Sequence, residues 1–448
     1  MKRRLFIKQA IGAAAIASAR PAFSADRILG ANERVRVGLI GCGSRGKEVA
    51  KLMAEAPNTE FTAFCDVYET NASAAKNSMT VAGVLSKDFR RVLDQKEIDA
   101  VLIATPDHWH APIAVLACQA GKDVYVEKPL AHNVREGRAI VDAARRHNRI
   151  VQVGTQHRSA EHYKEAAGIV QSGELGEVHF VRVWNFINLH PRGIGRVADS
   201  PAPEGLDWDF YLGPAPMVPF NKNRFLGTYR WFWDYAGGMI TDFGTHRFDS
   251  VHQVMGAAAP LSVSAAGQRF SLMDGGETPD FLQATFEYPG FVLSYEASMI
   301  NSHGTGGRTS GKKYYQARGQ DDRPHGEAFY GTNGTLFTDR LGFEIYPELK
   351  PGSAGPDGSR MVRRDMAATD ATGLHARNFI DCIRSRSKPP ADAEAGQRAT
   401  TAGHLGNIAY KTGRKLKWDA AKEQILGDAE ASNLLGRAPR KPWDLIKL

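Results

Sequence analysis

Four cysteines are spread over 448 residues, at Cys42, Cys65, Cys118 and Cys382, with no CxxC pair and no even spacing. That scarcity argues against a disulfide framework. No apolar run approaches the roughly 20 residues that cross a bilayer, so stable membrane insertion is not expected. Beyond the first few positions there is no dense Lys/Arg run, which removes the electrostatic footprint of a nucleic-acid binder. Repeats and low-complexity tracts are also missing. What is present is ordinary: 24% charged and 9% aromatic residues, in a chain long enough for two domains and a sizeable core.

The amino terminus departs from this background. Lys2-Arg3-Arg4-Leu5-Phe6-Ile7-Lys8 precedes a mild apolar run from Ala10 to Ala19 and the small residues Ala22-Phe23-Ser24-Ala25. A basic head, a short apolar middle and a small-residue cleavage zone make residues 1–25 a signal peptide, cut near Ser24 or Ala25. The paired arginines resemble a twin-arginine signal, an address read by export machinery that moves folded proteins, with the periplasm as destination. The formal net charge of +8 falls to +3 once Lys2, Arg3, Arg4, Lys8 and Arg20 are set aside. Folding before export accounts for the few cysteines, and a cofactor loaded in the cytoplasm accounts for folding first.

From Arg34 the pattern alternates short apolar runs with amphipathic segments of helix length. Strands are expected at Val35–Ile40, Phe61–Cys65, Ala100–Ala104, Val124–Val126 and Ile150–Val153, with helices near Ser44–Ala56, His108–Ala120 and Val134–His147. Near-continuous apolar strands separated by helices imply a doubly wound parallel sheet, an α/β Rossmann domain over residues 34–155. After Gly176 the texture changes. Val178–Trp184 alternates, Phe281–Glu287 and Phe291–Glu296 flank the turn Tyr288-Pro289-Gly290, and Thr335–Phe337 and Phe343–Tyr346 add shorter strands. Residues 156–420 therefore read as an α+β domain with an open, mostly antiparallel sheet, and 421–448 as a C-terminal tail. Within that domain lie an aromatic-rich insert, Asp207–Tyr235, suited to lining a pocket, and a Gly/polar loop, Ile300–Pro324, that reads as mobile surface. Helices are expected at Leu374–Arg386 and Ala393–Thr412.

Gly41-Cys42-Gly43-Ser44-Arg45-Gly46 follows the first strand and opens the first helix. In that setting Gly41 and Gly43 permit a tight turn and close approach to a pyrophosphate, Gly46 lets helix and strand pack, and the helix N-terminus at Ser44 favours negative charge. Asp66 ends the next strand, where an acid binds ribose hydroxyls and favours NAD over NADP, although Arg45 inside the loop could partly compensate a 2′-phosphate.

Thr105-Pro106-Asp107-His108-Trp109-His110, then Glu127-Lys128-Pro129-Leu130, then Gly237-Gly238-Met239-Ile240-Thr241-Asp242-Phe243-Gly244-Thr245-His246 follow in order. With these, Arg34 to about Trp418 resembles the Gfo/Idh/MocA oxidoreductases. The resemblance implies sugar, polyol or cyclitol substrates, a nicotinamide cofactor held at the cleft between a Rossmann domain and an open sheet, and a homo-oligomer built through that sheet. It matches Lys128 to the family's catalytic lysine, with the following X–Pro bond often cis, and makes His246 the expected general base on the substrate hydroxyl. Physically, a lysine ending a buried parallel strand points at the cofactor. Asp242 and His246, four apart on a helix, share a face, so the carboxylate is expected to accept a hydrogen bond from the imidazole, orient it and raise its basicity.

Further candidates are Thr105, Pro106, His110, Glu127 and Gln156 toward the cofactor, and His157, Arg158, Asn185, Arg230 and Trp231 toward the substrate, with His190, Arg192 and Trp233 nearby in the pattern. His108 and His110, two apart, do not face one way on a helix, so no metal site is expected. Three functions stay open: a tightly bound-NAD dehydrogenase or reductase; a redox-neutral glycoside hydrolase or lyase, or sugar–sugar oxidoreductase, that regenerates its nucleotide each turnover; and a binding protein without turnover. Export favours a nucleotide that never leaves.

Overall fold

A computed structural model of the chain describes residues 34–79, 82–303 and 323–447. The expected signal peptide at 1–25, and residues 304–322 of the Gly/polar loop, lie outside the described residues. Six parallel strands form the first sheet: β1 (Val35–Ile40), β2 (Thr59–Cys65), β3 (Val84–Ser86), β4 (Ala100–Ile103), β5 (Asp123–Val126) and β6 (Val151–Val153), in the order β3-β2-β1-β4-β5-β6. The order reverses between β1 and β4, and there the carboxyl ends of the strands open a crevice. Strands β4, β5 and β6 are buried throughout, as a sheet covered on both faces requires.

Helix Val134–Arg146 shows how the covering helices begin. Asn133 accepts a hydrogen bond from the Glu136 N–H, Glu136 stands in the first turn and Arg145 and Arg146 in the last, matching the helix dipole at both ends. The later helix Ala371–Ser385 returns to this sheet, burying Ala376, Phe379 and Ile380 among Val37, Phe61 and Tyr125.

Ten strands form the second sheet: β7 (Val178–Phe186), β8 (Ser262–Gln268), β9 (Phe281–Tyr288), β10 (Phe291–Ser298), β11 (His325–Gly331), β12 (Gly334–Asp339), β13 (Gly342–Pro347), β14 (Asp365–Ala367), β15 (Leu416–Asp419) and β16 (Gln424–Leu426). Their order is β14-β13-β12-β11-β7-β10-β9-β8-β15-β16. Every described pairing is antiparallel except β7 with β10, so the sheet is mixed at its centre. The β9–β10 hairpin pairs Tyr288 with Phe291 across a turn whose Gly290 takes φ +89°, a left-handed value that glycine adopts without strain. Helix Met239–Met255 lies on this sheet between helices Glu161–Gln171 and Ala393–Thr412 and packs Phe248 against Phe286 and Tyr295.

The segment set apart as a tail is folded into the body. Residues 416–426 form the β15–β16 hairpin, and Trp443 joins the core of the nucleotide domain.

Candidate active site

β1 delivers the chain into the glycine turn. Gly41 has φ +91°, and a Cβ there would lie 2.5 Å from the Ala104 carbonyl carbon; one on Gly46 would meet the Gly41 carbonyl oxygen at 2.1 Å. Packing therefore fixes both glycines. Gly43 is different. Its φ of −66° suits any residue, and a Cβ there would meet nothing within 4 Å. No side chain caps the helix that starts at Ser44, so its first N–H groups are left for an anion. Asp66, directly after β2, accepts hydrogen bonds from the N–H groups of Cys42 (2.8 Å) and Tyr68 (2.9 Å). Burial pushes its carboxyl pKa up against those bonds. It latches the glycine turn and still lines the crevice, together with Gly41, Gly43, Ser44, Arg45, Thr105 and Pro106.

The opposite wall is the aromatic insert. Phe210, Tyr211, Phe225, Leu226, Tyr229 and Arg230 face the glycine turn. Two backbone bonds, Asp207 N–H to Val67 O (2.9 Å) and Glu69 N–H to Gly205 O (3.2 Å), fasten the insert beside Asp66. The insert thus walls the nucleotide crevice, a role its Trp/Phe/Tyr content signalled only as pocket lining.

Lys128 lies two residues past the end of β5, and its bond to Pro129 is cis. Its ammonium donates to Asp242 Oδ1 (2.5 Å) and to the Asp242 carbonyl (3.0 Å), and Arg230 Nε pairs with the same carboxylate at 3.1 Å. Burial alone would raise the Asp242 pKa, but the two cations overcome it and hold the group well below the usual carboxylate range. Arg45 reaches from the glycine turn to Glu127 Oε1 (2.8 Å), tying turn to strand end.

One expectation fails here. Asp242 does not orient His246: its Oδ1 takes both Lys128 and Arg230, and among the described residues no hydrogen bond engages the His246 ring, whose Nδ1 is buried without a partner. Nor is the ring made more basic. Burial, then Lys128 and His157, depress its pKa, so it is neutral near pH 7. What sets the ring is His157, tilted against it with centroids 5.2 Å apart. His157 Nδ1 lies 2.9 Å from Ser250 Oγ, and that hydroxyl donates to the His246 carbonyl. Nδ1 of His157 is therefore the donor, and its Nε2 is a buried acceptor without a partner.

Other candidates sort clearly. His110 sets its ring nitrogens 2.7 Å from the Pro129 carbonyl and 2.9 Å from the Thr105 carbonyl, so it braces the two loops. Arg158 is held by Asp249 at 2.8 and 2.9 Å. Trp231 is packed in the second domain's core. Asn185 is buried in β7 against His325, and Gln156 is buried with its carbonyl oxygen unpartnered. His190 and Arg192 are exposed, and Trp233 stacks under Lys411. The role of Arg230 as a partner of Asp242 was not foreseen; its only signal was a cation in an aromatic insert. Among the described residues, no cluster of histidine, cysteine and carboxylate could hold a metal ion, and no helix is long and apolar enough to cross a membrane.

A six-stranded parallel sheet with a glycine turn and its acid, joined to a ten-stranded mixed sheet, defines a two-domain protein of the dinucleotide-binding class. The chain belongs to the Gfo/Idh/MocA family. Residues 35–155 match the family's oxidoreductase NAD-binding Rossmann fold, and 164–271 with 345–445 match its C-terminal alpha/beta domain. Inositol 2-dehydrogenase of Salmonella typhimurium is 28% identical over 145 residues, 32% of this chain and 43% of that one. A glycosyl hydrolase family 109 protein of Saccharopolyspora erythraea is 35% identical over 127 residues, 27% of this chain and 28% of that one. The chain spans about half, or less, of the length of the curated relatives it matches. Levoglucosan dehydrogenase, solved with NADH and levoglucosan, has the same fold, with a TM-score of 0.63, 19% identity, and 86% of this chain and 99% of that one covered.

Proposed function

We propose that the protein is an exported, NAD-dependent oxidoreductase acting on a hydroxyl of a sugar, polyol or cyclitol. The observation that carries the reading is the Lys128–Asp242–Arg230 cluster beside neutral His246, joined to the nucleotide crevice through Arg230, which lines it. The glycine turn fits a dinucleotide: the open side of Gly43 and the uncapped helix start would take the pyrophosphate, and Asp66 the ribose. When bound, the nicotinamide accepts hydride from the carbinol carbon. The protein supplies the rest. The Lys128 ammonium holds the alcohol oxygen and stabilises negative charge on it, Asp242 and Arg230 fix where that ammonium points, and His246 takes the hydroxyl proton on Nε2, the nitrogen not enclosed by protein.

Asp66 favours NAD over NADP. Export rests on Lys2–Lys8 and the apolar run after it, and a homo-oligomer through the second sheet is part of the same proposal.

A second reading draws on the aromatic wall over the crevice. A nucleotide that stays bound suits redox-neutral glycoside cleavage or exchange between two sugars, and the glycosyl hydrolase family 109 relative, alike over 127 residues, points the same way. The experiment that separates them identifies, by mass spectrometry, any nucleotide released on denaturing the purified protein, then screens sugars and aryl glycosides with and without added NAD. Net NADH formation supports the dehydrogenase; turnover with no net reduction supports the closed cycle; absence of nucleotide binding ends both.

A further inference from the structure

The segment after Leu435 crosses both walls of the nucleotide crevice. Arg437 donates from Nε to Glu136 Oε1 (2.7 Å), from Nη2 to the His108 carbonyl (2.9 Å) and from Nη1 to the Asp234 carbonyl (3.4 Å). One guanidinium thereby joins helix Val134–Arg146, the turn after β4 and the end of the aromatic insert. Three residues later, Arg440 pairs with Asp209 (2.8 Å), donates from Nε to the carbonyls of Gly213 (3.1 Å) and Ala215 (3.0 Å), and gives its backbone N–H to Pro214 O (3.0 Å). All four partners lie in the insert.

Trp443 completes the arrangement. Buried, it stands edge-on to Trp109, with ring centroids 5.4 Å apart, and tilts against Phe210 at 4.8 Å. Trp109 and Phe210 both line the crevice, the first from the nucleotide domain and the second from the insert. The Trp109 indole N–H also donates to the Tyr211 carbonyl (2.9 Å), and a Cβ on Gly213, at φ +50°, would strike the Trp109 ring. Trp443 therefore packs behind the seam where the two walls meet, without touching the crevice itself.

We propose that Arg437, Arg440 and Trp443 form a strap of positioning residues that keeps the aromatic insert closed over the dinucleotide, so that the nucleotide stays bound from one turnover to the next. The inference rests on the NAD reading above and deepens it. The insert is the crevice's second wall, so a nucleotide leaves when that wall parts from the turn after β4. The strap holds that seam with bonds from Arg437 and Arg440 and the Trp443 wedge, and parting the wall breaks them together. A strapped nucleotide is reduced and reoxidised in place, which fits the redox-neutral form of the chemistry.

The test measures NADH release from the full-length mature protein by displacement with excess NAD, following NADH fluorescence at a temperature well below every variant's thermal midpoint. Arg440→Ala and Trp443→Ala are expected to release NADH about tenfold faster, the change appearing in the off-rate, while Trp443→Phe, which keeps a ring in the wedge, stays within about twofold of wild type. Release from folded Arg440→Ala and Trp443→Ala at the wild-type rate overturns the strap, even if their thermal midpoints drop. If Trp443→Ala does not fold, Arg440→Ala decides alone, because it removes the Arg440 side-chain bonds to the insert and leaves the wedge in place. A wild-type protein that binds no NADH defeats the NAD reading itself, and the strap with it, and is distinguished by the missing fluorescence signal.

Discussion

The carboxylate of Asp242 lies against Lys128, 114 positions earlier in the chain, and not against His246, one helical turn later. Two consequences follow from that geometry. The lysine is aimed by an anion from the other domain, and the imidazole is buried and neutral without a carboxylate behind it. Lys128 and Asp242 thus act as a unit. Lys128→Met should lower kcat/KM about 10²- to 10³-fold with nucleotide binding preserved. Asp242→Asn should fall in the same range, and the double variant should be little worse than the poorer single, since each single change already dismantles the pair. Steady-state kinetics on the three variants checks this; additive losses would separate the two roles.

The glycine turn predicts a split between folding and binding. Gly46→Ala drives a Cβ into the Gly41 carbonyl and should destabilise the protein by about 1–3 kcal/mol. Gly43→Ala meets no protein atom, so the thermal midpoint should hold while nucleotide affinity drops about tenfold or more, because the methyl takes space the pyrophosphate needs. Thermal unfolding and nucleotide titration of both variants read this out.

How much of this was legible in the chain differs by feature. Val35–Ile40, the glycine turn and Asp66 could be read from the sequence because strand period, turn chemistry and spacing are local. Lys128 could be placed because a buried strand ends there. The Asp242–His246 error came from trusting helical spacing where two cations, Lys128 and Arg230, arrive from elsewhere in the fold. β11 went unread because His325-Gly326-Glu327 buries polar groups inside the sheet, with Glu327 held against Arg247 at 2.9 Å. The C-terminal segment passed for a tail because Trp443 is a lone aromatic among Arg437, Arg440 and Lys441, and nothing local shows that Trp109 and Phe210 await it.

Buried histidines set the pH dependence of stability. Burial holds His375 and His404 down to about 4, and His108 and His252 down to about 3, against 6.5 when exposed. Between those values the unfolded chain binds protons that the folded chain refuses. Stability is therefore full above pH 6.5 and is lost as pH falls toward 4, by about 1.4 kcal/mol per pH unit for each imidazole. Glu327, pushed up to about 7 by burial against the pull of Arg247, opposes this: its contribution is lost as pH rises from 4.5 through 7. Thermal midpoints from pH 8 to pH 4 should change little down to pH 6.5 and then fall steeply; a midpoint that rises between pH 6.5 and pH 4 contradicts the neutral assignment of the histidines.

Arg230 gives a prediction that depends on its place between crevice and reacting centre. Arg230→Gln removes one of the two cations on Asp242, so kcat should fall more than the KM for substrate rises, by about tenfold in kcat. A change confined to substrate KM would make Arg230 a binding residue alone.

The most direct test of the account mixes nucleotide-loaded protein with sugars, polyols and cyclitols and follows nicotinamide absorbance through a single turnover, in wild type and in Lys128→Met. The account predicts reduction by at least one of these alcohols in the wild type and almost none in the variant, at equal nucleotide occupancy. Equal reduction in both proteins, or a wild type that takes up no nucleotide, would contradict it.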